Sequence, residues 1–226
     1  MRLFAAVRPP DDALGHLEGA LASVRGGPAA RPRAGRAGLR WTPPEDRHVT
    51  LAFYGEVPQG YVDDLAAALD AVARAAEPFE AALAGAGLFD RRTLWVGCAG
   101  GGWTDLMRAA GVAGGEVVGR AADGRNRPHL TVARFRPGAG RGDGRRAGRG
   151  RSRAIGGGGG RGDRPAVREG APGPDAAALA HALALYRGPA WTVREVELVA
   201  SQLGAGPGGS PIHDVVHRSP LGAVAG

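Results

Sequence analysis

Two segments of this chain share one pattern: Arg47-His48-Val49-Thr50-Leu51-Ala52-Phe53 and Pro128-His129-Leu130-Thr131-Val132-Ala133-Arg134. In each, polar and aliphatic residues alternate as they do in a half-buried strand. His48 then shares a face with Thr50, and His129 with Thr131, while Val49, Leu51, Leu130 and Val132 turn toward the core. A chain that uses both segments in the same way must place two equivalent strands beside one groove. One His-x-Thr arises often by chance; two matched copies on apolar strands in corresponding halves are a far stronger signal.

The surrounding pattern is mixed α and β. Residues 2–8 read as a strand, and Leu14, Leu17, Leu21 and Val24 place a helix over Asp11–Val24. A Gly/Pro/Arg-rich loop at 25–38 leads to short strands at 39–41 and 47–54. Val62, Leu65, Leu69 and Val72 then lie on one face of a helix over 61–76. Strands at 79–84 and 93–98 precede a helix over 103–121, whose continuity the glycines between 111 and 115 put in question. After the strand at 129–135, order resumes with a helix capped by Asp175 and running to Arg187. Strands at 191–200 and 212–217 complete the series. The fold class this predicts is α+β, a domain of two related lobes.

Residues 137–174 break the pattern. Fourteen of them are glycine, nine are arginine, and Ile155 and Val167 are the only large aliphatics. Such a stretch buries too little apolar surface to offset its ordering entropy, so it reads as a disordered insertion in a single domain formed by 1–136 and 175–226. It also accounts for most of the formal charge of +7: its nine arginines against Asp143, Asp163 and Glu169 give +6. The basicity is therefore local. As the insertion lacks interleaved aromatics, a solvated linker fits it better than an RNA tether. The single cysteine, Cys98, excludes an internal disulfide and lies in an apolar strand. The apolar start ends at Arg8 and two prolines, too soon for an export signal, and no stretch suits a bilayer. These features predict a cytoplasmic monomer with no membrane association.

Two imidazoles and two hydroxyls facing one groove suit phosphodiester hydrolysis. One imidazole can take a proton from water while the other protonates the departing ribose oxygen, because a reference pKa near about 6.5 gives access to both protonation states. Thr50 and Thr131 supply hydroxyls for the non-bridging oxygens. Each motif offers one histidine and no adjoining acid after it, so no metal site is expected. Arg134 is a candidate phosphate ligand, although simple alternation turns it away from His129 unless a bulge intervenes. Trp41 and Phe53 are candidates for stacking a base, against the alternative of core packing. His16, His181, His213 and His217 read as structural or solvated.

The chain resembles the two-histidine (2H) phosphoesterase superfamily and, within it, the RNA 2′,3′-cyclic phosphodiesterases, also called 2′-5′ RNA ligase-like proteins. The resemblance rests on the two motifs, the opening Arg2-Leu3-Phe4-Ala5-Ala6-Val7, the phrase Leu39-Arg40-Trp41-Thr42, the run from Leu51 to Val57, and Val196-Glu197-Leu198-Val199-Ala200-Ser201. It implies a bilobal fold with the motifs facing across a cleft. It also implies His48 as proton donor to the leaving group, His129 as the base on water, a 2′-phosphomonoester product and no cofactor. The expected partner is RNA, or a nucleotide, ending in a 2′,3′-cyclic phosphate. Alternatives are 2′-5′ ligation, another small cyclic ribose phosphate, or a non-catalytic RNA-binding module built on the basic insertion. The chain departs from its relatives where they often carry an aromatic before the last strand; here stand Ile212 and His213.

Overall fold

A computed structural model describes residues 1–26, 39–120, 127–135, 175–206 and 209–222. The insertion predicted over 137–174 lies outside the described residues. Among the described residues nine strands form one antiparallel sheet: β1 (Arg2–Val7), β2 (Leu39–Trp41), β3 (Val49–Glu56), β4 (Phe79–Phe89), β5 (Thr93–Ala99), β6 (His129–Phe135), β7 (Arg187–Val193), β8 (Glu195–Gln202) and β9 (Ile212–Pro220). Among the described residues the four α-helices are α1 (Asp11–Arg25), α2 (Val62–Ala75), α3 (Trp103–Val118) and α4 (Ala176–Ala182).

The strand order is β7-β4-β5-β6-β3-β1-β8-β9, with β2 added to β6. The two motif strands, β3 and β6, are therefore neighbours at its centre, and a single residue pair, Val49 with Leu130, joins them. The four strands β7-β4-β5-β6, with β2 as a fifth beside β6, form one lobe and β3-β1-β8-β9 the other, which gives the bilobal α+β architecture. The helices tie the lobes together. Helix α1 follows β1 in one lobe yet packs on β4 and β7 of the other, whereas α3 follows β5 and packs on β3.

Apolar spacing explains the helix faces. Leu14, Leu17 and Leu21 of α1 and Leu65 and Leu69 of α2 are buried at the predicted positions. Helix α3 continues through its glycines because packing offsets their poor propensity. Gly114 lies against the Tyr54 ring, where a β-carbon would come within 2.2 Å of a ring atom, and the Tyr54 hydroxyl donates to the Ala110 carbonyl at 3.0 Å. Asp175 caps α4 as predicted, accepting from the amides of Ala177 and Ala178 at 3.0 and 3.2 Å.

The C-terminal reading needs correction. Helix α4 stops at Ala182 instead of reaching Arg187, and the strand expected over 191–200 is two strands broken at Arg194. The edge of β4 draws the chain out of the helix: Arg187, Ala190, Trp191, Thr192 and Val193 pair with it, and the Gly85 amide donates to the Tyr186 carbonyl at 2.8 Å. Gly188 and Pro189 favour that outcome. Gly85, at φ +67°, carries β4 past its predicted end at 84 to Phe89. Among the described residues, no helix is long and apolar enough to cross a membrane.

Candidate active site

The Val49–Leu130 pair fixes the geometry of the cleft. Both side chains are fully buried on the core face. Their neighbours turn the other way, and His48, Thr50, His129 and Thr131 all line one cleft of about 230 Å³. Continuing the antiparallel register by one residue sets His48 beside Thr131 and Thr50 beside His129. Each imidazole thus stands across from the threonine of the other motif.

The two rings are held alike. His48 Nδ1–H donates to the Asp46 carbonyl at 2.9 Å, and His129 Nδ1–H donates to the Arg127 carbonyl at 2.8 Å. A carbonyl only accepts, so each bond places the proton of the neutral ring on Nδ1 and leaves Nε2 for a ligand. A 3₁₀ turn over Pro44–Asp46 presents the Asp46 carbonyl. Arg47 braces this approach from beneath. Its side chain is fully buried, with Nη2 2.6 Å from a Glu18 oxygen and Nε donating to the Thr42 carbonyl at 3.1 Å. Burial would raise the Glu18 carboxyl, but hydrogen bonds from Arg47 and Arg25 hold it below its usual range.

Strand bulges decide which further residues reach the cleft. Opposite β5, His129, Thr131 and Arg134 pair with Gly97, Trp95 and Thr93, so the step from Thr131 to Arg134 contains one extra residue. Arg134 is thereby returned to the histidine face and lines the cleft. Simple alternation, which turns it away, is corrected by this bulge. The same device acts in β3, where Thr50 pairs with Ala6 and Phe53 with Phe4, placing Phe53 on the face of Thr50. Phe53 nevertheless stands outside the cleft, packed near Phe4, Ala6 and Val199, with the Arg2 guanidinium 4.6 Å from its ring centre. Trp41 does line the cleft, and Arg25 lies 4.8 Å from its ring centre.

Sequence reasoning missed His213. Strand β9 brings it into the cleft wall, edge-on to His48 with ring centres 5.1 Å apart, and its Nδ1 is 3.5 Å from Asp46 Oδ1. Phe4 stacks on His48 from below at 4.7 Å. The available signal was strand alternation: His213 pairs with Ser201, and Val215, two residues on, packs near Phe4 and Val199. The remaining histidines keep their structural reading. His16 Nδ1 meets the Tyr186 hydroxyl at 3.1 Å, His217 meets Asp70 at 2.8 Å, and His181 is exposed.

Burial dominates the electrostatics. It drives His48 down to about 3, helped by His213, and pushes His129 below its ordinary value, helped by Arg127 and Arg134. Burial also lowers His213, against the pull of Asp46. At neutral pH the cleft holds His48 as a neutral ring with Nε2 unprotonated. Burial likewise pushes the Cys98 thiol up to about 12, an unreactive state. Among the described residues no group of three or more His, Cys, Asp or Glu side chains is placed to hold a metal ion.

Two His-x-Thr strands meeting at the centre of a bilobal antiparallel sheet define a two-histidine fold. Residues 28–95 match the family of LigT-like phosphoesterases. An RNA 2′,3′-cyclic phosphodiesterase of Geobacillus stearothermophilus is 38% identical over 99 residues, a match spanning 42% of this chain and 32% of that protein. The aligned part is thus about a third of that relative's length. Among solved structures, TT0787 of Thermus thermophilus is similar at 24% identity and a TM-score of 0.64, with 98% of each chain covered. Apo LigT of E. coli follows at 18% identity and a TM-score of 0.61, over 97% of this chain and 96% of LigT. LigT has also been solved with 3′-AMP. The chain shares its fold with LigT, and over residues 28–95 it matches the LigT-like phosphoesterase family.

Proposed function

We propose that this cleft hydrolyses the 2′,3′-cyclic phosphodiester at RNA ends to a 2′-phosphomonoester, without a metal ion. The observation that carries this reading is the pair of imidazoles, each tied through Nδ1 to a backbone carbonyl and each beside a threonine of the opposite motif. His129, kept neutral, takes a proton from water through Nε2 as the water oxygen attacks phosphorus. The P–O3′ bond breaks, and His48 Nε2–H protonates the departing 3′-oxygen. Thr50, Thr131 and Arg134 bind the non-bridging oxygens, and Trp41 meets the base. Phe53, covered by Arg2, takes no part in stacking. The named activity of the Geobacillus relative supports the substrate class.

The depressed His48 pKa sets a condition on its role. A neutral His48 cannot act as an acid, so it takes up a proton as the phosphate anion enters, when the negative charge in a desolvated cleft favours imidazolium. The test is incubation with nucleoside 2′,3′-cyclic monophosphates in excess chelator, with the product isomer identified by ³¹P NMR. The expected product is the 2′-monophosphate. His48→Ala and His129→Ala each lower kcat by about a hundredfold or more in folded protein. A 3′-monophosphate product, or turnover that vanishes in chelator and returns with a divalent ion, contradicts the reading.

A further inference from the structure

The wall of the cleft formed by β2 and β6 carries a charge arrangement that the reaction at one phosphate does not require. Arg40 and Arg134 pair directly across these strands, and both line the cleft. Like charges placed directly opposite one another in an antiparallel pair are destabilising. Such pairs are usually relieved by a nearby carboxylate, yet among the described residues neither guanidinium makes an ion pair, and Arg134 has only a 3.4 Å hydrogen bond to the Thr93 hydroxyl. Asp46, the one acid lining the cleft among the described residues, is turned to His213. Two guanidiniums on paired residues of one cleft wall, with no ion-pair partner among the described residues, form a site for more negative charge than one phosphate monoanion provides.

We propose that Arg40 binds the phosphodiester preceding the reacting cyclic phosphate, while Arg134 across the strand pair reaches the reacting one, so that the cleft prefers oligonucleotide ends to free nucleotides. This rests on the hydrolase reading for the identity of the reacting group, but not for the anion site itself. A nucleoside cyclic phosphate offers one anionic group to the pair. An oligonucleotide end offers two, spaced along one strand, and satisfies both guanidiniums. Because a backbone phosphate carries no base information, the preference concerns chain length and not sequence.

The test uses product-like probes, so that it stands whether or not turnover is found: an ApA dinucleotide with a terminal 2′-phosphate, and the same molecule with a neutral methylphosphonate linkage. Titration calorimetry at low salt should show the native linkage bound about tenfold more tightly by the unaltered protein, the scale of one charge-assisted contact. Arg40→Gln should remove most of that difference, and Arg40→Lys should keep part of it through the retained charge. Equal affinities for the two linkages in the unaltered protein overturn the proposal. So does an Arg40→Gln variant that weakens both probes equally, which marks general attraction in place of a defined contact. In the kinetic arm, the ratio of kcat/KM on a dinucleotide cyclic phosphate to that on a mononucleotide should fall in Arg40→Gln. Absence of turnover on both substrates, with the binding difference intact, defeats the hydrolase reading and leaves the anion site standing.

Discussion

Replacing His48 with glutamine should make the protein more resistant to acid. In the unfolded chain the imidazole binds a proton near 6.5, whereas in the fold, buried on Phe4 and beside His213, it does so only near 3. Between these values the unfolded state holds a proton that the folded state excludes, so lowering the pH favours unfolding. The contribution is fully present above 6.5 and is lost progressively as the pH falls toward 3. At a slope of about 1.4 kcal/mol per pH unit for one proton, the penalty at pH 4.5 is on the order of 3 kcal/mol. Glutamine has nearly the same reach, can still donate to the Asp46 carbonyl and does not titrate. Urea unfolding of both proteins at pH 7.5 and pH 4.5 measures the effect. The unaltered protein should lose on the order of 3 kcal/mol more than the variant, since the carboxylates, His129 and His213 are common to both. Equal losses would refute the argument that the fold holds His48 neutral.

Binding of 2′-AMP near pH 6 should be accompanied by net proton uptake, read from calorimetric enthalpies in buffers of different ionisation heat, and His48→Gln should reduce it. Arg47→Met should destabilise the fold by about 2 kcal/mol in urea unfolding, because it removes the bonds to the Thr42 carbonyl and to Glu18, with the residual charge of Glu18 still met by Arg25. It should also lower kcat on the cyclic phosphate by loosening the approach to His48. Gly114→Ala should cost about 1–3 kcal/mol despite the better helix propensity of alanine, since the new methyl group meets the Tyr54 ring; a rise in Tm would show that the interface yields freely.

The motif strands and most helices were legible because local patterning and tertiary burial agree there. His48-x-Thr50 and His129-x-Thr131 announced their shared face, Asp175 announced a cap, and the leucines of α1 and α2 announced their buried sides. What escaped depends on partners distant in sequence. The position of Arg134 follows from a bulge that only the pairing with β5 reveals. Helix α4 ends early because the β4 edge competes for the following residues. His213 reads as an ordinary strand residue until β9 is seen beside β8, which carries it to Asp46 and His48 across most of the chain. The continuity of α3 likewise depends on Tyr54, a residue of another strand.

The bulges have an unequal result in the two lobes. Both motifs present a histidine, a threonine two residues on and a third side chain three beyond that, so Phe53 and Arg134 occupy equivalent places in the two strands. One place carries an aromatic ring within an apolar cluster beside Phe4, the ring that underlies His48; the other carries a cation whose field acts on His129. A near-symmetric backbone therefore holds an asymmetric pair of proton carriers. One greasy and one charged neighbour, set at matching positions, make the surroundings of the two rings unlike, and so give a cleft with two similar walls a direction.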